Sequence, residues 1–126
     1  MTQTTMLIFL FICHWLADYT PLSRPFMLKA KMLGTPWYPI FLHAYAHGLL
    51  MSIPLYFAVG FNHNLLGMVC FQIITHYGID LWKGRMNGWF PALQSPANKW
   101  HWIVFGFDQL LHALVIIYMA DSIIYK

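Results

Sequence analysis

The chain lacks glutamate and is poor in charge of either sign. Its only acids are four aspartates, set against seven lysines and arginines, and charged residues make up 9% of its 126 positions while 60% are hydrophobic. An ordinary soluble domain carries roughly 25% charged residues. So few charges cannot cover the surface of a water-soluble monomer, and a lipid bilayer is the expected surrounding. Long basic runs are also missing. The net charge of +3 is spread over scattered residues with no basic stretch interleaved with aromatics, which excludes nucleic acid as a partner. Only two cysteines occur, Cys13 and Cys70. Both fall inside apolar stretches and read as buried thiols outside any disulfide. No internal repeat is visible, and the N-terminal stretch has neither a basic leader nor a small-residue cleavage site, so it reads as a mature helix.

What is present is apolar length. A membrane-spanning helix needs about 20 mostly apolar residues, and the few charges divide the chain into four such stretches, at about 1–18, 38–61, 63–82 and 100–125, the first of them short. The expected fold is all-α, an antiparallel bundle of four transmembrane helices forming one domain over 1–126. Gly60-Phe61-Asn62-His63-Asn64 supplies a tight turn between the second and third spans. Between the first two, Phe26 to Leu33 forms a short amphipathic helix, bounded by prolines, that suits the membrane interface. Lys83 to Lys99, rich in Gly, Pro, Asn and Ser, reads as a loop, and its Gly84-Arg85-Met86-Asn87-Gly88 string as chance. All the basic residues but Lys126 lie in the first and last connections, which the positive-inside rule assigns to the cytoplasm with both termini outside, the lone Lys126 at the C-terminus opposing this only weakly. All six tryptophans sit near the ends adjoining those two connections.

One residue type is in excess. Seven histidines outnumber all the acids together. Each expected span carries one pair at i, i+4: His14 with Asp18, His43 with His47, His76 with Asp80, and Asp108 with His112. That spacing puts both side chains on one helix face. The pairs lie late in spans one and three and early in spans two and four, so an antiparallel weave brings them to the same side of the membrane. An aspartate deep in a span costs about 2.5–3.5 kcal/mol, yet three of the four acids are placed there. They need either protonated imidazoles or a metal as partner. Imidazole and carboxylate without thiolate suit one or two divalent ions, Zn, Mn or Fe, with surplus residues orienting the ligands. The competing reading is a metal-free polar network or proton relay. His63, His101 and Asp121 read as helix-packing or solvated rim residues.

These segments, His14-Trp-Leu-Ala-Asp18-Tyr19, His43-Ala-Tyr-Ala-His47-Gly48-Leu49, His76-Tyr-Gly-Ile-Asp80-Leu81-Trp82-Lys83 and Asp108-Gln-Leu-Leu-His112, resemble in order those of small bacterial and phage membrane proteins catalogued as domain of unknown function 3307. The resemblance implies a bacterial inner-membrane protein with Lys83 and Gln109 beside its site, and it implies no particular activity. In kind, the chain is also similar to membrane metal-dependent hydrolases whose ligands come from several helices.

Two functions are therefore expected to compete. One is a metal-dependent hydrolase taking a lipid-like or phosphate-bearing substrate from the cytoplasmic side. There Arg24, Lys29 and Lys83 would hold a phosphate, and Asp18 or Asp108 would act as general base. The other is a proton or metal-ion conductor, which would have to assemble as a homo-oligomer. The apolar residues beyond the cluster, among them Ile53, Leu55, Ile116 and Ile117, favour a dead-end site.

Overall fold

The computed structural model describes residues 2–20 and 22–124, and the side chains of all of these except Ile124. It is all-helical, with α1 (Gln3–Tyr19), α2 (Pro25–Leu33), α3 (Trp37–Val59), α4 (His63–Trp89), a single 3₁₀ turn (Pro91–Gln94) and α5 (Lys99–Ile124). Local chemistry sets several ends. Thr2 caps α1 by accepting from the Thr5 amide at 3.1 Å, and Asn62 caps α4 by accepting from the Leu65 amide at 3.0 Å. Gly60, at φ 71°, gives the left-handed residue on which the tight turn depends.

Among the described residues three helices, α3, α4 and α5, are long and apolar enough to cross a membrane, not the four expected. The first apolar stretch forms a helix of 17 residues. At about 1.5 Å per residue it is about 25 Å long, short of a hydrocarbon core of about 30 Å. The long helices turn apolar side chains outward, among them Leu66, Ile74, Ile103, Leu110 and Leu114, all exposed on the protein surface. Such faces suit hydrocarbon. Cys70 belongs with them: it is exposed, contrary to its reading as a buried thiol, because lipid-facing positions are as apolar as core positions.

A second correction concerns α4, which runs on through Trp89 and takes up the first part of the expected loop, Lys83 to Trp89, leaving Phe90 to Asn98 with its 3₁₀ turn as the connection. Gly84, Asn87 and Gly88 are weak helix formers, but tertiary packing overrides their preference. A Cβ on Gly84 would lie 2.4 Å from the Gly34 nitrogen and 2.6 Å from the Lys31 carbonyl oxygen, so only glycine lets α2 end against α4 at this point. Gly34 terminates α2 at φ 70°, and the Arg85 side chain donates from Nε to its carbonyl at 3.1 Å. The string read as chance is thus the seat of α2.

The interior divides in two along the bundle. One half is dry and holds Met6, Leu10, Met51, Leu55, Ile116 and Met119, all essentially inaccessible. The other half is polar.

Candidate metal centre

All four i, i+4 pairs point into that polar half and meet. Asp18 receives three imidazoles: His43 Nε2 and His47 Nε2 each stand 2.9 Å from its Oδ1, and His14 Nε2 stands 3.1 Å from its Oδ2. Asp80 receives two more, with His112 Nε2 3.2 Å from Oδ1 and His76 Nε2 3.0 Å from Oδ2. His112 Nε2 is also 3.5 Å from Asp108 Oδ1. The rings form a row, His47 on His76 at 3.7 Å between centroids and His76 on His112 at 4.3 Å, with the His14 ring 5.0 Å from His47 and 5.5 Å from His112. Eight side chains from α1, α3, α4 and α5 therefore make one cluster, and seven of the eight are buried with Asp18 nearly so.

Burial matters because buried polar atoms need partners, each orphan costing about 1–3 kcal/mol. His76 Nε2, Asp80 Oδ2 and Asp108 Oδ1 are buried with no hydrogen-bond partner, the first two being close but not aligned to share a proton. His43 Nε2 and His47 Nε2 lie 3.2 Å apart. Two nitrogens that each sit about 2.0–2.1 Å from a tetrahedral ion are about 3.3 Å from one another, so this spacing is that of co-ligands. Among the described residues two groups have donor atoms close enough together to hold an ion: Asp18, His43, His47 and His76, and His76, Asp80 and His112. The donor set, imidazole and carboxylate with no thiolate, fits a divalent transition ion.

Sequence reasoning missed two residues. Lys31, on α2, reaches in to place Nζ 3.8 Å from Asp18 Oδ1, 3.8 Å from Asp80 Oδ2 and 3.2 Å from His43 Nε2. Burial pulls the Lys31 pKa down, but the carboxylates of Asp80, Asp18 and Asp108 outweigh it and hold the value above the ordinary lysine range. Gln72, one turn before His76, is buried with Nε2 3.5 Å from His76 Nδ1. A lone amide inside an apolar span, at i, i+4 from a histidine, was the available signal for it.

Of the neighbours expected from sequence, Lys83 Nζ lies 3.6 Å from Asp108 Oδ2 and Gln109 Nε2 donates to the same oxygen at 3.0 Å. Arg24 and Lys29 are exposed. Lys29 is two positions from Lys31 on one helix, so when Lys31 faces inward Lys29 faces away. The cluster opens on one side into a cavity of about 320 Å³, lined by Asp18, Lys31, Asp80, Lys83, Asp108 and His112 together with Asn87, Gln94, His101 and Gln109. His101 is fixed there by Nδ1 at 2.6 Å from the Leu93 carbonyl oxygen.

A helical chain with long apolar helices and a buried His/Asp cluster that opens into a cavity defines the class: a membrane-type helical protein with donor groups that could hold a metal. The chain belongs to the family described as Protein of unknown function (DUF3307), whose match covers residues 6–126. Comparison with curated proteins and with solved structures gives no match.

Proposed function

We propose that the protein is a membrane-embedded metalloprotein that hydrolyses a phosphate-bearing, lipid-like substrate reached from the cytoplasmic side. The observation that carries this reading is the union of orphaned His/Asp donor atoms with a cavity whose walls bear two lysines. In this reading α1 is the fourth, short span of an antiparallel bundle, because it sends His14 and Asp18 to the level of the other pairs. The basic connections, the one bearing Lys29 and Lys31 and the one around Lys99, face the cytoplasm and the termini lie outside.

A bound divalent ion would supply Lewis-acid polarisation of the scissile group and an activated water. The chain's own residues do the rest. Lys31 and Lys83 place positive charge where phosphate oxygens would enter. Of the two candidate bases, Asp18 is enclosed by His14, His43 and His47 and serves as a ligand. Asp108 stands outside both donor groups and on the cavity wall, so it is the better-placed base. Conduction is the weaker reading because the dry half of the interior, from Met51 and Leu55 to Ile116 and Met119, offers no polar continuation.

Elemental analysis of protein purified in detergent without chelators tests the metal, beside a variant carrying Asp80→Ala and His112→Ala. Stoichiometric transition metal in the wild type, lowered in the variant, is expected. Assay of the loaded protein against a lipid phosphomonoester then tests hydrolysis, and proton or metal flux in liposomes without hydrolysis would replace it by the conductor.

A further inference from the structure

The cluster is not one undivided site. Its two donor groups differ in how they meet the cavity. His43 and His47 are fully buried and off the cavity wall, behind Asp18, the one member of their group that reaches it, while Asp80 and His112 of the other group both stand on that wall with Asp108. His76 lies between them as the middle ring of the row. Lys31 spans the same seam, its ammonium equidistant from Asp18 on one side and Asp80 on the other.

We propose that the chain holds two metal ions of unlike kind, which deepens the metal reading above and rests on it. The inner site, at Asp18, His43 and His47, reaches the cavity through the Asp18 carboxylate alone, its two imidazoles lying fully buried behind it, and holds its ion without an exchangeable partner. The outer site, at Asp80 and His112, faces the cavity and takes an oxyanion, a phosphate group, as its exogenous ligand. His76 is the ring against which both are built. Closed, fully protein-bound sites are structural in character, whereas sites that keep a position open are the ones that meet substrate. The wall beside the outer site has the matching chemistry, with Lys83 3.6 Å from Asp108 and Gln109 bonded to the same carboxylate, so an entering phosphate meets an ammonium and an amide.

The test is cobalt(II) titration of the metal-free wild-type protein, followed by its visible absorption, with inorganic phosphate as the probe. About two ions per chain are expected to bind in two phases, with phosphate shifting the spectrum of only one. His47→Ala should keep the phosphate-responsive ion and lose the silent one, and His112→Ala should do the reverse. One ion per chain in the wild type overturns the two-site inference and leaves the metal reading standing. No bound metal at all overturns both. Phosphate that perturbs both ions alike, or that still acts in His112→Ala, overturns the assignment of inner and outer. The wild-type titration needs no variant to fold, so loss of either variant in purification does not remove the test.

Discussion

Gly84 lies against Gly34 so closely that a Cβ on it would stand 2.4 Å from the Gly34 backbone nitrogen. This contact, between residues far apart in sequence, fixes the end of α2 against α4 and so carries Lys31 into the cluster. Gly84→Ala should therefore destabilise the protein although alanine is the better helix former. The helix gain is at most about 1 kcal/mol, while forcing a methyl onto backbone costs about 1–3 kcal/mol. Thermal unfolding in detergent measures the balance. Gly78→Ala, where a Cβ would meet nothing within 4 Å, is the control and should be neutral or slightly stabilising. Equal behaviour of the two variants would mean that α2 is not seated on Gly84.

That contact also marks where the sequence stops being legible. The His/Asp pairs could be read because each is local, four residues apart on one helix, and because charge is so rare in the spans that its exceptions stand out. Lys31 could not. Its place depends on α2 docking through Gly34 and Gly84, and nothing within either segment states that the two meet. The same contact hid the length of α4: Gly84, Asn87 and Gly88 have a loop's composition, and their smallness is what the docked helix requires. Length alone could not place α1, whose 17 residues fall short of the hydrocarbon core and which brings His14 and Asp18 to the site through packing against its neighbours.

Lys31→Met should separate the metal-free from the metal-loaded protein. Without metal, Lys31 is a cation shared by Asp18 and Asp80, and removing one partner of a buried charge pair costs about 3–5 kcal/mol. The lower end of that range applies, since the Lys31 side chain is 22% exposed. Because its folded pKa is raised, this stabilisation is fully present below the ordinary lysine value of 10.5 and is lost only as the pH climbs through the raised one. The loss on substitution should thus be constant across neutral pH. Bound metal neutralises the same carboxylates, so the loaded variant should lose much less. Identical losses in both states would place Lys31 outside the electrostatics of the site.

Chelation and acid should act through the same groups. Imidazole binds metal only when deprotonated, and its ordinary pKa is about 6.5. Metal content after equilibration should therefore fall as the pH drops through about 6 toward 5, with recovery on return to neutral buffer containing the ion. Metal present at about a thousandfold over its dissociation constant stabilises the folded state by about 4 kcal/mol, so a chelator should lower the unfolding temperature at neutral pH and have little further effect at pH 5. A chelator-insensitive unfolding temperature across this range would support the metal-free polar network instead.

Asp108→Asn and Asp80→Asn should fail in different ways. Asp80 has imidazoles on both flanks, His112 Nε2 3.2 Å from Oδ1 and His76 Nε2 3.0 Å from Oδ2, and belongs to a donor group, so its amide should lose metal as well as activity. Asp108 lies beside Lys83 and Gln109 and outside both groups. An amide there keeps the shape and the Lys83 side of the cavity but cannot accept a proton. Metal content should stay at the wild-type level while hydrolysis falls by about 10²–10⁴, the usual worth of a positioned general base. The loss should appear in kcat with KM little changed, because the substrate phosphate is held by the lysines. Loss of metal in Asp108→Asn would instead make this carboxylate a ligand of the outer ion and remove it as the base.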